Sequence, residues 1–108
     1  MQKIILAGKE FEVESPLRFS KLKFVEPAML RARQMLLSAK EANVPVAEAC
    51  YDEVAMALSY AVGMKRAEFD EMQISQKELA AAYQEVGLAL GMFVKEQEGE
   101  GQAKSPNQ

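Results

Sequence analysis

Val46, Cys50, Val54, Ala57, Leu58 and Ala61 fall three or four residues apart. That spacing puts all six on one side of a helix and leaves the other side polar. It predicts a helix from about Pro45 into the mid-sixties, with a stripe that must be covered by other elements. A second periodic segment, Leu79, Tyr83, Val86, Leu90 and Phe93, predicts a closing helix. Ser75 and Glu78 supply the spacing of a capping box at its start.

The opening segment has a different period. Lys3–Leu6 and Glu10–Val13 read as two short strands. Phe11 and Val13 alternate with Glu10, Glu12 and Glu14, and Gly8 supplies the positive φ of a tight turn between the strands. Ser15-Pro16 ends this hairpin. A two-stranded hairpin is marginal in water, so it must lean on the helices or on a partner. Residues 17–26 read as a short helical turn, and Pro27 marks a second helix start near Glu26 because proline suits a first turn. From there "PAMLRARQMLLSAK" continues as a helix with Met29, Leu30, Arg33, Leu36 and Leu37 near one face, until "EANVP" breaks it.

The expected fold class is therefore mainly α (α+β), a short N-terminal β-hairpin followed by three to four helices. At 108 residues the chain is the size of one domain. Residues 1–94 form that domain in this reading. Residues 95–108 form a flexible polar tail, because the last fourteen residues contain one alanine and no larger apolar side chain.

Composition narrows the chemistry. There is no histidine and one cysteine, so neither a standard Cys/His zinc site nor a histidine-based triad can be assembled. Cys50 lies on the apolar stripe, where a small core residue is expected rather than a nucleophile. Asp52-Glu53 and Asp70-Glu71 are adjacent pairs that diverge on a helix, and no glycine-rich phosphate loop occurs. The expectation is a protein that is not an enzyme and has no catalytic residues, cofactor or metal. The longest apolar run, Val86 to Val94, is about half of a membrane span, so no membrane is expected as a partner. One cysteine and no visible leader suit a reducing cytoplasm.

Net charge is −3 but unevenly spread. Arg18, Lys21, Lys23, Arg31, Arg33 and Lys40 face Glu26 alone over 18–40, a net of +5; nine acids face three bases over 41–85, a net of −6. Complementary or solvated faces within one fold explain this, as does head-to-tail self-association or an acidic partner. "SQKELA" resembles the opening of a helix-turn-helix, the mark of a small DNA-associated regulator. However, "AAYQEV" continues as helix, and Glu85 to Val94 holds no Arg, Lys, Asn or Gln to reach nucleic acid. Six methionines beyond the first serve either as core filler or as an adaptable binding surface.

"IILAGKEFEVESPLRFSKLKFVEPAMLRAR" resembles the start of the tail assembly chaperones of long-tailed bacteriophages and prophages. "YDEVAMALSYAV" resembles that family's middle helix, and "ISQKELAAAYQEVGLALGMF" its closing helix, so the likeness spans residues 3–94. The resemblance implies a non-catalytic assembly factor in the bacterial host cytoplasm. It would bind the phage tape-measure protein, help recruit the tail tube protein and self-associate as a homo-oligomer, with no nucleic acid. The family commonly has a short form and a frameshifted extended form. A helical client calls for apolar grooves. Phe19, Leu22, Met29, Met92 and Phe93 are the candidate partner-binding residues, with Phe11 and Val13 if the hairpin is a docking arm rather than a core cap. A generic oligomeric helical adaptor and a small cytoplasmic DNA-associated regulator are the competing functions.

Overall fold

The computed structural model describes residues 2–92. The expected polar tail at 95–108 and the candidate Phe93 lie outside the described residues. In chain order the elements are β1 (Gln2–Leu6), β2 (Lys9–Val13), α1 (Phe19–Ala42), α2 (Glu48–Val62), α3 (Arg66–Asp70) and α4 (Gln76–Ala89). The architecture is mainly helical with a short N-terminal hairpin.

β1 and β2 pair antiparallel, with Ile4 opposite Phe11 and Leu6 opposite Lys9. The turn is Ala7-Gly8, and both residues have positive φ, 53° and 77°. A two-residue turn of this hand matches the twist of paired strands, and glycine takes it freely. Ala7 does not, because its Cβ crowds the backbone at a cost of about 1 kcal/mol. Glu78 at the start of α4 offsets that cost. Its carboxylate accepts the amide of Ala7 at 3.1 Å and that of Gly8 at 2.9 Å. The same side chain accepts the Ser75 amide at 3.1 Å, while Ser75 Oγ accepts the Glu78 amide at 3.0 Å. The capping box expected from the sequence is thus present, and its acid also holds the hairpin turn.

Ile4, Leu6 and Val13 are fully buried and Phe11 packs against them. The hairpin therefore lies over the helices with its apolar side inward, β1 against α4 and β2 against α2. The Ser15-Pro16 peptide is cis. The chain then enters α1.

α1 differs from the sequence expectation in two respects. It is one helix of 24 residues with Pro27 inside it, so there is no second start near Glu26. Proline removes the amide that would reach the carbonyl of Lys23, which ordinarily costs a helix interior about 3 kcal/mol. Pro27 and Lys23 are both exposed, so water can take the freed carbonyl. Burial of Val25, Ala28 and Met29 on the opposite side holds the helix together. The inward face is also rotated from the expected one. Val25, Ala28, Met29, Ala32 and Ala39 are buried at spacings of three, four and seven, while Leu30, Leu37 and Arg33 are exposed. Asn43 in the left-handed region closes α1, as Gly63 closes α2.

α2 begins at Glu48, three residues later than expected, because Ala47 is still extended. Its stripe is as expected: Cys50, Val54, Ala57, Leu58 and Ala61 are buried, and Val46 packs onto the core from the preceding loop. α1 and α2 form the principal helix pair. The small residues Ala28, Ala32, Ala57 and Ala61 let their backbones approach. At one point Cys50 Sγ reaches the carbonyl of Ala32, 3.5 Å away. α3 was not anticipated from the sequence; its one buried residue is Phe69.

Hydrogen bonds from the Gly8 and Ser75 amides hold the Glu78 carboxyl below its ordinary value of 4.5. A carboxyl lowered in the folded state stabilises it above 4.5, and that contribution is lost as pH falls through the folded value. Glu78→Gln should therefore unfold at a lower temperature than the parent at pH 7. The gap should narrow progressively below pH 4.5, as followed by circular dichroism melts. Amide exchange at Ala7 and Gly8 should accelerate in the variant.

Candidate partner-binding surface

α1 enters beside the end of α2, and the two frame an open groove. Its floor is Met56, Tyr60 and Met64, and Arg18, Lys21, Lys65 and Arg66 stand around it. The groove encloses about 570 Å³. Met56 and Tyr60 are 46% and 42% exposed, side by side on the outer face of α2. Phe24 extends the apolar wall, its ring centroid 5.1 Å from that of Tyr60 at a tilted angle. Tilted aromatic pairs of this kind are favourable beyond the area they cover.

The basic rim is held in place by its own contacts. Lys21 Nζ donates to the carbonyl of Ala61 at 3.2 Å, where the last turn of α2 leaves acceptors unused. Arg18 grips Glu14 through paired hydrogen bonds, which lowers the Glu14 pKa. Arg66 bridges Asp70 at 2.8 Å and Asp52 at 3.0 Å. These exposed pairs contribute little energy but fix where the guanidinium groups stand.

A second, smaller groove of about 390 Å³ runs between the end of α1, α2 and α4, over Leu36, Val46, Tyr51, Leu79 and Tyr83. Gln76 Nε2 donates to Tyr51 Oη at 3.1 Å across it. The Tyr83 hydroxyl points to the Met29 carbonyl at 3.5 Å, and burial raises its pKa. Between the grooves, Arg31 of the basic half meets Glu53 of the acidic half at 2.9 Å. This pair ties the two charge blocks together within one fold.

The residues singled out from sequence scatter. Phe19 is 72% exposed at the start of α1, Leu22 is half-buried one turn later, and Met92 is half-buried after α4. Phe11 is half-buried on the inner side of the hairpin. Val13 and Met29 are fully buried in the core, so a partner cannot touch them while the fold is intact. Their burial corrects the expectation that they form a contact surface: both lie on inward faces, where they fill space between elements. The hairpin's apolar side covers the core, as a cap would. Met56, Tyr60 and Met64 were missed as a group. Their signal was an apolar set lying off the main stripe of α2.

Among the described residues no group of three or more His, Cys, Asp or Glu is placed to hold a metal ion. No helix there is long and apolar enough to cross a membrane. The segment resembling a helix-turn-helix is one unbroken helix, α4. Compared with protein-family models, with curated proteins and with solved structures, the chain gives no significant match.

Cys50 is buried, and desolvation, then the nearby Glu53 charge, raises its thiol pKa. Iodoacetamide should leave it unmodified in the native protein at pH 7.5 and label it fully in denaturant, as read by mass spectrometry. Val13→Asp should abolish the helical circular dichroism signal, since it places an unpaired charge in the core. Phe11→Ser should destabilise by about 1–3 kcal/mol with the helices retained in water.

Proposed function

We propose that this chain is a non-catalytic tail assembly chaperone that binds the tape-measure protein of a long-tailed phage or prophage and assists tail tube assembly. The observation that carries the reading is the groove between the start of α1 and the end of α2, floored by the exposed Met56 and Tyr60 and the half-buried Met64. A tape-measure protein presents a long helix with an apolar side. Methionine and tyrosine suit such a client because flexible thioethers adapt to successive side chains while the ring supplies area. The basic rim suits a helix whose polar flank is acidic.

The order of elements supports the same reading. A two-stranded hairpin, a turn at Pro16, a long helix and a capped closing helix occur in the sequence order of that family. The described residues contribute no converging acid, base or nucleophile, which suits a holding role rather than a reaction. The work would take place in the bacterial host cytoplasm, with the client released when the tube assembles around it.

The test is an affinity pull-down of the tagged full chain from cells producing the phage tail genes, with bound proteins identified by mass spectrometry. One very long helical protein should be recovered, with or without tube subunits. Met56→Asp and Tyr60→Ala should reduce that recovery about tenfold while leaving the circular dichroism spectrum unchanged. Recovery of only the chain itself, or of DNA-bound material, would replace this reading with an adaptor or a regulator.

A further inference from the structure

β1 is an edge strand, and its edge lies beside α4. In a hairpin closed by a two-residue turn, the pairs Leu6–Lys9, Ile4–Phe11 and Gln2–Val13 exchange hydrogen bonds. The pairs between them turn their backbone groups away from each other. The amides and carbonyls of Lys3 and Ile5 therefore point outward along the free edge of β1. Among the described residues the structure gives these groups no hydrogen-bond partner. The Ile5 side chain next to them is 52% exposed.

This edge borders a groove of about 360 Å³, with Lys3, Ile4 and Ile5 on one wall and Lys77, Ala81 and Glu85 on the other. The three α4 residues stand four apart, so they recur about every 6 Å along the helix. Alternate residues of an extended chain recur about every 6.8 Å. A strand laid in the groove thus sets one side chain against each of the three in turn. Glu78 holds the hairpin turn, which places Lys77 at the turn end of the groove and Glu85 toward Lys3. Among the described residues neither Lys77 nor Glu85 has an ion pair. Lys3 is drawn toward β2 by its pair with Glu10 at 3.2 Å.

From this geometry we infer that the edge of β1 takes an extended segment of a different protein as a third strand, with alternate residues acidic, apolar and basic against Lys77, Ala81 and Glu85. The unpaired backbone groups call for an extended chain rather than a helix, and the two charges set its pattern. Such strand addition draws affinity from the main chain and specificity from alternate side chains. Antiparallel pairing is the more stable, and because β1 runs toward the turn it puts the acidic residue first in the segment. The two intervening residues stand opposite Ile5 and Lys3, and the first of them covers the exposed Ile5 side chain. This inference is independent of the tail-assembly reading, which uses the groove between α1 and α2.

The probe is a synthetic peptide with the core Glu-Val-Leu-Thr-Lys, blocked at both ends, titrated into the isotope-labelled full chain and followed by nuclear magnetic resonance. It should bind with a Kd below about 1 mM, shift the Lys3 and Ile5 amides and slow their exchange with solvent. The same peptide N-methylated at its valine and threonine loses the two donors that face β1 and should not bind. Lys77→Glu with Glu85→Lys should weaken the original peptide about tenfold with an unchanged circular dichroism spectrum, and the core Lys-Val-Leu-Thr-Glu should bind that variant as the original binds the parent. An absence of binding, indifference to N-methylation, or equal binding of the two cores to the parent would overturn the arrangement. So would Lys3 and Ile5 amides already protected in the free chain: at any dilution its own residues would hold the edge, and only at high concentration a second copy would.

Discussion

One carboxylate joins the two ends of this fold. Glu78 accepts hydrogen bonds from the amides of Ala7, Gly8 and Ser75, so a turn at the beginning of the chain and a helix start some seventy residues later share a single side chain. The hairpin has too little apolar surface of its own to persist in water. It survives because its inward residues cover α2 and α4 while Glu78 holds the turn in its left-handed conformation. In return, the hairpin completes the core: Ile4, Leu6 and Val13 are among its most buried side chains. Local structure and long-range packing are inseparable here, since the acid that starts α4 also orients the layer above it.

The second organising feature is the close seam between α1 and α2. Alanines on both helices allow the approach, Cys50 reaches the Ala32 carbonyl across it, and Arg31 meets Glu53 at its outer edge. Because the seam takes up the inward side of α2, its remaining large residues are turned outward. Met56 and Tyr60 become the floor of a groove for this reason. The position of Lys21, fixed on the Ala61 carbonyl in the last turn of α2, gives that groove part of its basic wall. The charge imbalance seen along the sequence thus resolves into one ion pair across the seam and a cationic rim beside an apolar floor.

Features set by neighbours in the chain were legible from the sequence. The stripe of α2, the Ser75–Glu78 cap and the glycine at the hairpin turn all have causes that act within one or two turns. Pro27 misled because its usual effect was overridden: the missing hydrogen bond faces water while Val25, Ala28 and Met29 are buried behind it. The inward face of α1 misled for a related reason. Leucines at 30 and 37 carry the larger hydrophobic signal, yet the inward side of α1 is the one that holds Val25 and Met29, and alanines at 28, 32 and 39 go inside with them. Val13 and Met29 are core for reasons of geometry, not because their residue types forbid a surface. The link from Glu78 to Ala7 has no local signature at all, and neither does the pairing of Phe24 with Tyr60.

The alanine seam has a consequence for how such a chain can change over generations. A buried alanine between close helices can be replaced without added volume only by glycine, which weakens the helix itself. Nearly every other substitution there inserts atoms into a space that has none to spare. The outward leucines carry no such restriction. Mutational tolerance along α1 should therefore follow the side of the helix rather than side-chain size, with the buried alanines as constrained as the buried Val25 and Met29.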